Sequence, residues 1–210
     1  MAALLMFQAS LTEAVTSEGF ERWYEREHFA ERRSLAGVLA SARYRSVIGP
    51  YQYLAVYVLS DVNVLSSHEY ASLWESPSST TEQFAAKVRS FRRLVLLPKE
   101  NAELPFSSTQ GGKLASSLVL FCMSPLAEAR QRVEDWYSVC YVPGLPQLGT
   151  CTEASLWTMA DDSMWCGLAS FEDSSDLLRE KYPRFVAVTG RWRNWLDCAA
   201  MEETLYKRIT

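Results

Sequence analysis

Apolar positions along this chain switch between strand-like runs and helical stripes. Segment 3–10 is almost continuously apolar and predicts a strand. Segment 17–35 has helical spacing. Phe20, Trp23, Tyr24, Glu27, His28, Glu31 and Leu35 share one face, while Glu18, Arg22, Glu25, Arg26, Arg32 and Arg33 share the other. Ser17 suits the N-cap and Gly37 the stop. Segments 39–47 and 51–59 predict a hairpin around Gly49-Pro50. Short helices at 68–74 and 82–88 and a strand at 91–97 come next. The second half predicts a strand at 113–122 and a helix at 126–141 with Pro125 near its first turn. A hairpin, 149–158 and 164–170, turns at Asp161-Asp162. Helical stretches at 173–181 and 183–195 and a strand at 201–209 close the chain.

Both halves therefore read as β-α-β-β-α-β, the ferredoxin-like order. The stretch KENAELPFSSTQGGK has linker chemistry, which sets the organisation as 1–98, a linker at 99–112, and 113–210. Residues repeat as well. Phe20-Glu21-Arg22-Trp23-Tyr24 answers Val133-Glu134-Asp135-Trp136-Tyr137, and Ala36-Gly37-Val38 answers Pro143-Gly144-Leu145, with the second unit's first helix about one turn shorter. The helices of such a unit cover one sheet face, so the other needs a partner. The expected fold class is α+β: tandem ferredoxin-like repeats forming a pseudo-dimeric α+β barrel, with further association into a homodimer left open.

Composition narrows the partners. A net charge of −4 without a basic stripe argues against nucleic acid. Apolar runs fall far short of the roughly 20 residues that span a bilayer, and the N-terminus lacks the basic start of a signal peptide. Five cysteines, all in the second half and without C-x-x-C spacing, read as free thiols in a reducing cytoplasm. Aromatic residues at 12% suggest bulky cores or a pocket for a flat apolar ligand.

Candidate chemistry centres on the first helix. An inward face carrying Glu27 and His28 is costly unless they are hydrogen-bonded or line a cavity. Tyr24, His28 and Arg32 also run at i, i+4 spacing, and Glu31 lies three beyond His28. A carboxylate beside His28 would hold its tautomer and raise its pKa, and desolvation would lower it, so titration near neutrality would suit a general acid or base. The competing reading is a satisfied core histidine. His68, beside Ser66 and Ser67, reads as a surface or capping residue. In the hairpin, Tyr51, Tyr53, Ala55 and Tyr57 share one face, and Arg43 and Arg45 lie opposite in sense to Tyr44. An inward Arg43 could bind an acidic group or stabilise an enolate or phenolate, unless it pairs with Glu27 or Glu31. No phosphate-binding or nucleophile-elbow pattern occurs, and neither a cofactor nor a metal is expected.

The order Trp23-Tyr24-Glu25-Arg26-Glu27-His28, Ala36-Gly37-Val38, Ala42-Arg43-Tyr44, Tyr53-Leu54-Ala55-Val56-Tyr57 and Ser66-Ser67-His68-Glu69-Tyr70 resembles the EthD-like branch of the dimeric α+β barrel superfamily. That branch shows W-Y-x-x-E-H, P-G, a-R-Y, Y-L-a-x-Y and S-x-x-Y in this order. The resemblance covers most of 1–97. Ala36 replaces the usual Pro, and Tyr141 stands where His28 would align in the second half, which contains no His. The resemblance implies a pocket between sheet and helices. It makes His28 the leading catalytic candidate and Tyr24, Arg43, Tyr57 and Tyr70 pocket candidates; the full candidate set is His28, Arg43 and Glu27 for catalysis, with Trp23, Tyr24, Tyr44, Tyr57, Tyr70 and Trp74 for substrate binding.

Three functions compete. The first is a cofactor-independent lyase, isomerase or cyclase acting on a small aromatic or polyketide-like substrate. The second is a binding or accessory protein using the same pocket. The third is a haem-binding or haem-degrading protein, whose two-repeat relatives place the axial ligand in the second repeat.

Overall fold

The computed structural model describes residues 1–12, 16–99, 115–190 and 198–209. The linker expected at 99–112 lies outside them except for Lys99, as does the helical stretch beyond Gly190. Eight antiparallel strands are described: β1 (Ala3–Leu11), β2 (Val38–Ile48), β3 (Tyr53–Leu59), β4 (Val88–Pro98), β5 (Ser117–Pro125), β6 (Cys151–Met159), β7 (Trp165–Phe171) and β8 (Cys198–Arg208). No helix among the described residues is long and apolar enough to cross a membrane.

Packing divides the chain into two units. The first holds 1–44, 51–95 and 209–210; the second holds 45–50 and 96–208. The division therefore runs through β2 and β4.

In the first unit the strand order is β4-β1-β3-β2. β1 pairs with β3 from Ala3↔Leu59 to Ala9↔Tyr53. Every residue of both strands is buried, so neither shows the half-exposed alternation of a surface strand. Thr12 donates its N–H to the Lys87 carbonyl (3.0 Å), and Arg92 Nε donates to Gln8 Oε1 (2.7 Å), tying β1 to β4. Helix His68–Glu75 is capped by Ser67, whose oxygen accepts from Tyr70 N–H, and Ser79–Ala85 is capped by Ser78. The latter starts three residues before the expected 82–88, because Ser78 supplies the cap and Val88 already belongs to β4.

The first helix runs in three consecutive segments: Ser17–Trp23, a π-helical turn Tyr24–His28, and Phe29–Arg33. Its N-cap is Thr16 rather than Ser17, the Thr16 hydroxyl accepting from Gly19 N–H at 3.3 Å. Gly37 closes the helix at φ +89, with Val64 Cγ2 2.5 Å from where a Cβ would stand.

The second unit orders its strands β6-β7-β5-β8, the same relative order as in the first unit. β5 pairs with β7 from Ser117↔Phe171 to Met123↔Trp165, placing buried Cys122 opposite Cys166 with their sulfurs 3.2 Å apart. Leu96–Pro98 of β4 pairs with β6. Cys122, Cys140, Cys151 and Cys166 form no disulfide among the described residues. The helical segments Ala127–Ala129, Arg130–Trp136, Tyr137–Tyr141 and Val142–Gly144 lead into Leu145–Gln147, and Tyr137–Tyr141 is again a π-turn. This corrects the expectation of a helix shortened by a turn. Gly144 has φ −78 and lies in the helical path, so it is not the counterpart of Gly37. Helix Ser175–Gly190 carries Pro183 inside it.

Candidate functional site

The first unit encloses a cavity of ≈ 400 Å³. β1 contributes Phe7 and Ala9 to its wall, and β3 contributes Tyr53, Leu54 and Ala55. The first helix contributes Phe20, Trp23, Tyr24, His28 and Arg32; Arg43 comes from β2, Trp74 from the second helix, and Phe91 from β4. The wall is chiefly rings in mutual contact. Trp23 stacks on Phe84 (4.8 Å, 14°), Phe20 lies 5.0 Å from Tyr53, and Phe7 stacks on Phe91 (5.5 Å). Trp74 is half-exposed and Phe91 more than half, so both stand towards solvent.

The π-turn decides which polar groups reach this hollow. A π-turn inserts one residue into the helical frame and rotates everything beyond it by about 100°. The residues after it that turn inward are therefore Phe29 (2% exposed) and Arg32 (3%), whereas unbroken α-helical spacing selects Glu31 and Leu35. Arg32, expected on the solvent face, instead lines the cavity. Its Nη1 donates to His28 Nδ1 at 3.1 Å and to the His28 carbonyl at 3.3 Å.

A guanidinium can only donate, so His28 Nδ1 is the acceptor and the ring proton sits on Nε2. Trp23 and Tyr24 hold the imidazole at 5.0 and 4.8 Å between ring centroids. Burial, followed by the charges of Arg32 and Arg43, pushes His28 from 6.5 down to about 3. The neighbour expected for His28 is a carboxylate; the actual neighbours are cations. His28 is thus neutral across the physiological range, which corrects the expectation of titration near neutrality.

Arg43 is 3% exposed and lines the cavity. Its Nη1 donates to the Glu21 carbonyl (3.3 Å), and its guanidinium lies 4.4 Å over the Tyr24 ring. The competing possibility, a salt bridge with Glu27 or Glu31, is not formed among the described residues. Burial lowers its pKa, which Tyr24, Glu21 and Glu25 partly restore. Burial likewise raises the hydroxyl of Tyr24 above its ordinary value, and that of Tyr57 well above it.

The remaining candidates separate cleanly. Trp23, Tyr24 and Trp74 line the cavity. Glu27 does not; its carboxylate accepts from Ser78 Oγ at 3.4 Å in an exposed contact, on the side the π-turn turns away from the pocket. Tyr44 is fully buried, but alternation along β2 sends it opposite to Arg43, and it is not in the lining. Tyr57 lies behind the wall, 6.2 Å from Phe7 and 5.6 Å from Phe29. Tyr70 also stands behind it, accepting from Arg93 Nη2 (3.3 Å) with its ring 6.3 Å from Trp74. His68 is exposed at the first position of its helix. Phe7, Phe91 and Arg32 are lining residues that sequence reasoning misses. The i, i+4 spacing of Tyr24, His28 and Arg32 is the signal for the last of them. Among the described residues no cluster of three His, Cys, Asp or Glu could hold a metal ion.

No known family's sequence pattern matches the chain, and no curated protein does. Solved structures do. An anthrone oxidase-like protein superposes with a TM-score of 0.64 at 12% identity, covering 100% of this chain and 91% of that one. A haem-binding protein from Thermus thermophilus gives 0.55 at 15%, covering 100% and 91%. A mutant chlorite dismutase from Candidatus Nitrospira defluvii gives 0.60 at 10%, covering 100% and 91%. Other neighbours are monooxygenase-like. These neighbours are ferredoxin-like proteins of the dimeric α+β barrel kind, and at such identities the likeness shows the fold. They do not single out the EthD-like branch.

Proposed function

We propose that this chain is a cofactor-independent enzyme that moves protons on a planar aromatic or polyketide-like substrate, in a lyase, isomerase or cyclase type of reaction, and that it belongs to the EthD-like branch. One observation carries the reading: an imidazole and two guanidiniums line the same ring-walled hollow of ≈ 400 Å³. The ring walls take up a flat ligand. His28 donates an Nε2–H hydrogen bond to a carbonyl or hydroxyl oxygen of that ligand, acting as a neutral electrophile. As the substrate's α-carbon or hydroxyl proton passes to solvent water, Arg43 stabilises the negative charge that grows on that oxygen as an enolate or phenolate forms. Arg32, rather than Glu27, orients the imidazole by occupying Nδ1.

The test is turnover of a panel of hydroxylated and carbonyl-bearing bicyclic and tricyclic compounds by wild type and His28→Ala. Loss of turnover in a variant that still unfolds at the wild-type temperature supports the reading; unchanged turnover rejects it. Full ligand affinity with no product over long incubation would instead leave a binding or accessory protein. Oxygenation is a second reading, favoured by the anthrone oxidase-like and monooxygenase-like neighbours, because the same stabilised enolate is the electron-rich species that dioxygen attacks. Substrate-dependent oxygen consumption separates it from proton transfer.

A haem reading draws less from these residues. The pocket imidazole is engaged by Arg32 at Nδ1, and the two guanidinium charges that add to burial in disfavouring a proton on it disfavour a ferric ion as well. The second unit offers no His. A Soret band on purified protein would overturn this ranking.

A further inference from the structure

We infer that the ligand of this cavity is an anion: a planar ring system bearing an ionised oxygen group, carboxylate or acidic enol, that pairs with Arg32 and Arg43. The inference rests on the reading of the first unit's hollow as the substrate site and goes on to name the charge of what enters it.

Burying charge is costly. A guanidinium taken out of water is normally repaid by a carboxylate and a full set of hydrogen bonds. Arg32 and Arg43 are each 3% exposed, and both line the cavity. Neither forms an ion pair among the described residues. Arg32 spends Nη1 on His28, and its Nε has no hydrogen-bond partner. Arg43 spends Nη1 on a backbone carbonyl, and its Nη2 has none. Ring faces lie against both: Tyr24 lies 4.4 Å from the Arg43 guanidinium, and Trp74 and Phe7 lie 5.3 and 6.0 Å from that of Arg32, while the carboxylates of Glu21 and Glu25 act on Arg43 through space. Trp23 Nε1, from another lining residue, is a third buried donor without an acceptor.

Three buried donors without acceptors among the described residues, two of them on permanently charged groups, thus sit on side chains that line one hollow. Glu82 is the carboxylate of the lining, and it is exposed. An oxyanion on the ligand supplies the missing acceptor and the missing charge together, and a flat ring behind it keeps contact with the aromatic wall. His28 fits the same arrangement. Held neutral, it adds an Nε2–H donor without bringing a third positive charge against the first two.

The experiment is a binding measurement that needs no turnover. Affinities of 2-naphthoate and 2-naphthamide, isosteres that differ in charge, are measured by calorimetry on the full chain at pH 7. The expected result is that the carboxylate binds at least 30-fold tighter, and that Arg43→Met and Arg32→Met each remove at least 10-fold of that preference while changing amide affinity less than 3-fold. Arg43→Lys should keep most of it, which separates lost charge from lost packing. The acidic-enol source is tested with 4-nitrophenol, whose hydroxyl ionises near neutrality. Bound to wild type its absorbance should titrate at least one pH unit lower than when free, and bound to Arg43→Met it should not. Equal affinity for carboxylate and amide, together with an unshifted nitrophenol titration, overturns the inference even if both methionine variants fail to fold. Anion preference without product from any panel compound would sink the enzymatic reading and leave this one standing. Turnover of an uncharged substrate without anion preference would do the reverse.

Discussion

Each unit places a five-residue π-turn in its first helix, just after a Trp: Tyr24–His28 after Trp23, and Tyr137–Tyr141 after Trp136. The two turns end on different side chains. In the first unit the last residue is His28, beside a hollow. In the second it is Tyr141, whose 2%-exposed ring stacks on Phe121 (5.2 Å, 23°) and Tyr137 (5.4 Å, 17°) and meets Phe185 edge-on at 5.5 Å. Its hydroxyl donates to Glu203 at 3.1 Å, and that of Tyr137 to the Ser155 carbonyl at 2.8 Å. The same backbone device thus aims a polar ring at a cavity in one unit and locks a packed cluster in the other. The contrast sets binding capacity at one turn against packing energy at the other.

This contrast can be broken in graded steps. The largest effect should come from Tyr141→Ala. Removing a fully enclosed ring from the second unit should cost about 3–5 kcal/mol in denaturant unfolding, with ligand binding in the first unit surviving under stabilising conditions. Loss of less than about 1 kcal/mol would mean that the cluster is not a structural core. His28→Ala at the matching position should do the opposite. Turnover should fall by roughly 10²–10⁴-fold, as expected for a lost proton donor, while stability shifts by under about 1 kcal/mol. A large stability loss with retained activity would make His28 a packing residue.

Gly37→Ala sharpens the comparison at the helix end. It forces a side chain to φ +89 and onto Val64 Cγ2, which should cost about 1–3 kcal/mol. The last step is a pH slope. Because the fold holds His28 near pH 3 against 6.5 for a free side chain, the neutral ring's contribution is complete above pH 6.5 and is lost as the pH falls towards about 3. His28→Gln should therefore lose less stability than wild type between those limits, as read from melting temperatures across the acid range. Parallel curves for the two proteins would show that the imidazole is better solvated than its surroundings imply.

Much of the fold was legible because hydrophobic period and turn chemistry act locally. A strand was expected near each of the eight described, with edges displaced by only a few residues. His28, Trp23, Tyr24, Trp74 and Arg43 were legible as pocket residues from helix face, strand alternation and resemblance, and all five line the cavity. Glu27 and Arg32 were misread for one shared reason. Hydrophobic periodicity presumes 3.6 residues per turn, and neither residue type nor spacing announces a π-turn. With the frame shifted after Trp23, the expected carboxylate partner of His28 rotates out and an arginine rotates in, so that the neighbouring charge adds to the downward push of burial instead of opposing it. Tyr44, Tyr57 and Tyr70 were credited to the pocket by motif, but each is a buried ring outside the lining. Depth behind a wall depends on tertiary packing that no single segment encodes.

The tryptophans of the first unit have a practical consequence. Trp23 sits 5.0 Å from His28 with its indole N–H buried, and Trp74 stands half-exposed under the Arg32 guanidinium. Any molecule that settles among them must alter the polarity around both indoles and will quench or shift their emission. The hollow therefore carries its own optical reporters, and a compound library can be screened against the unlabelled protein before a single reaction product has been identified.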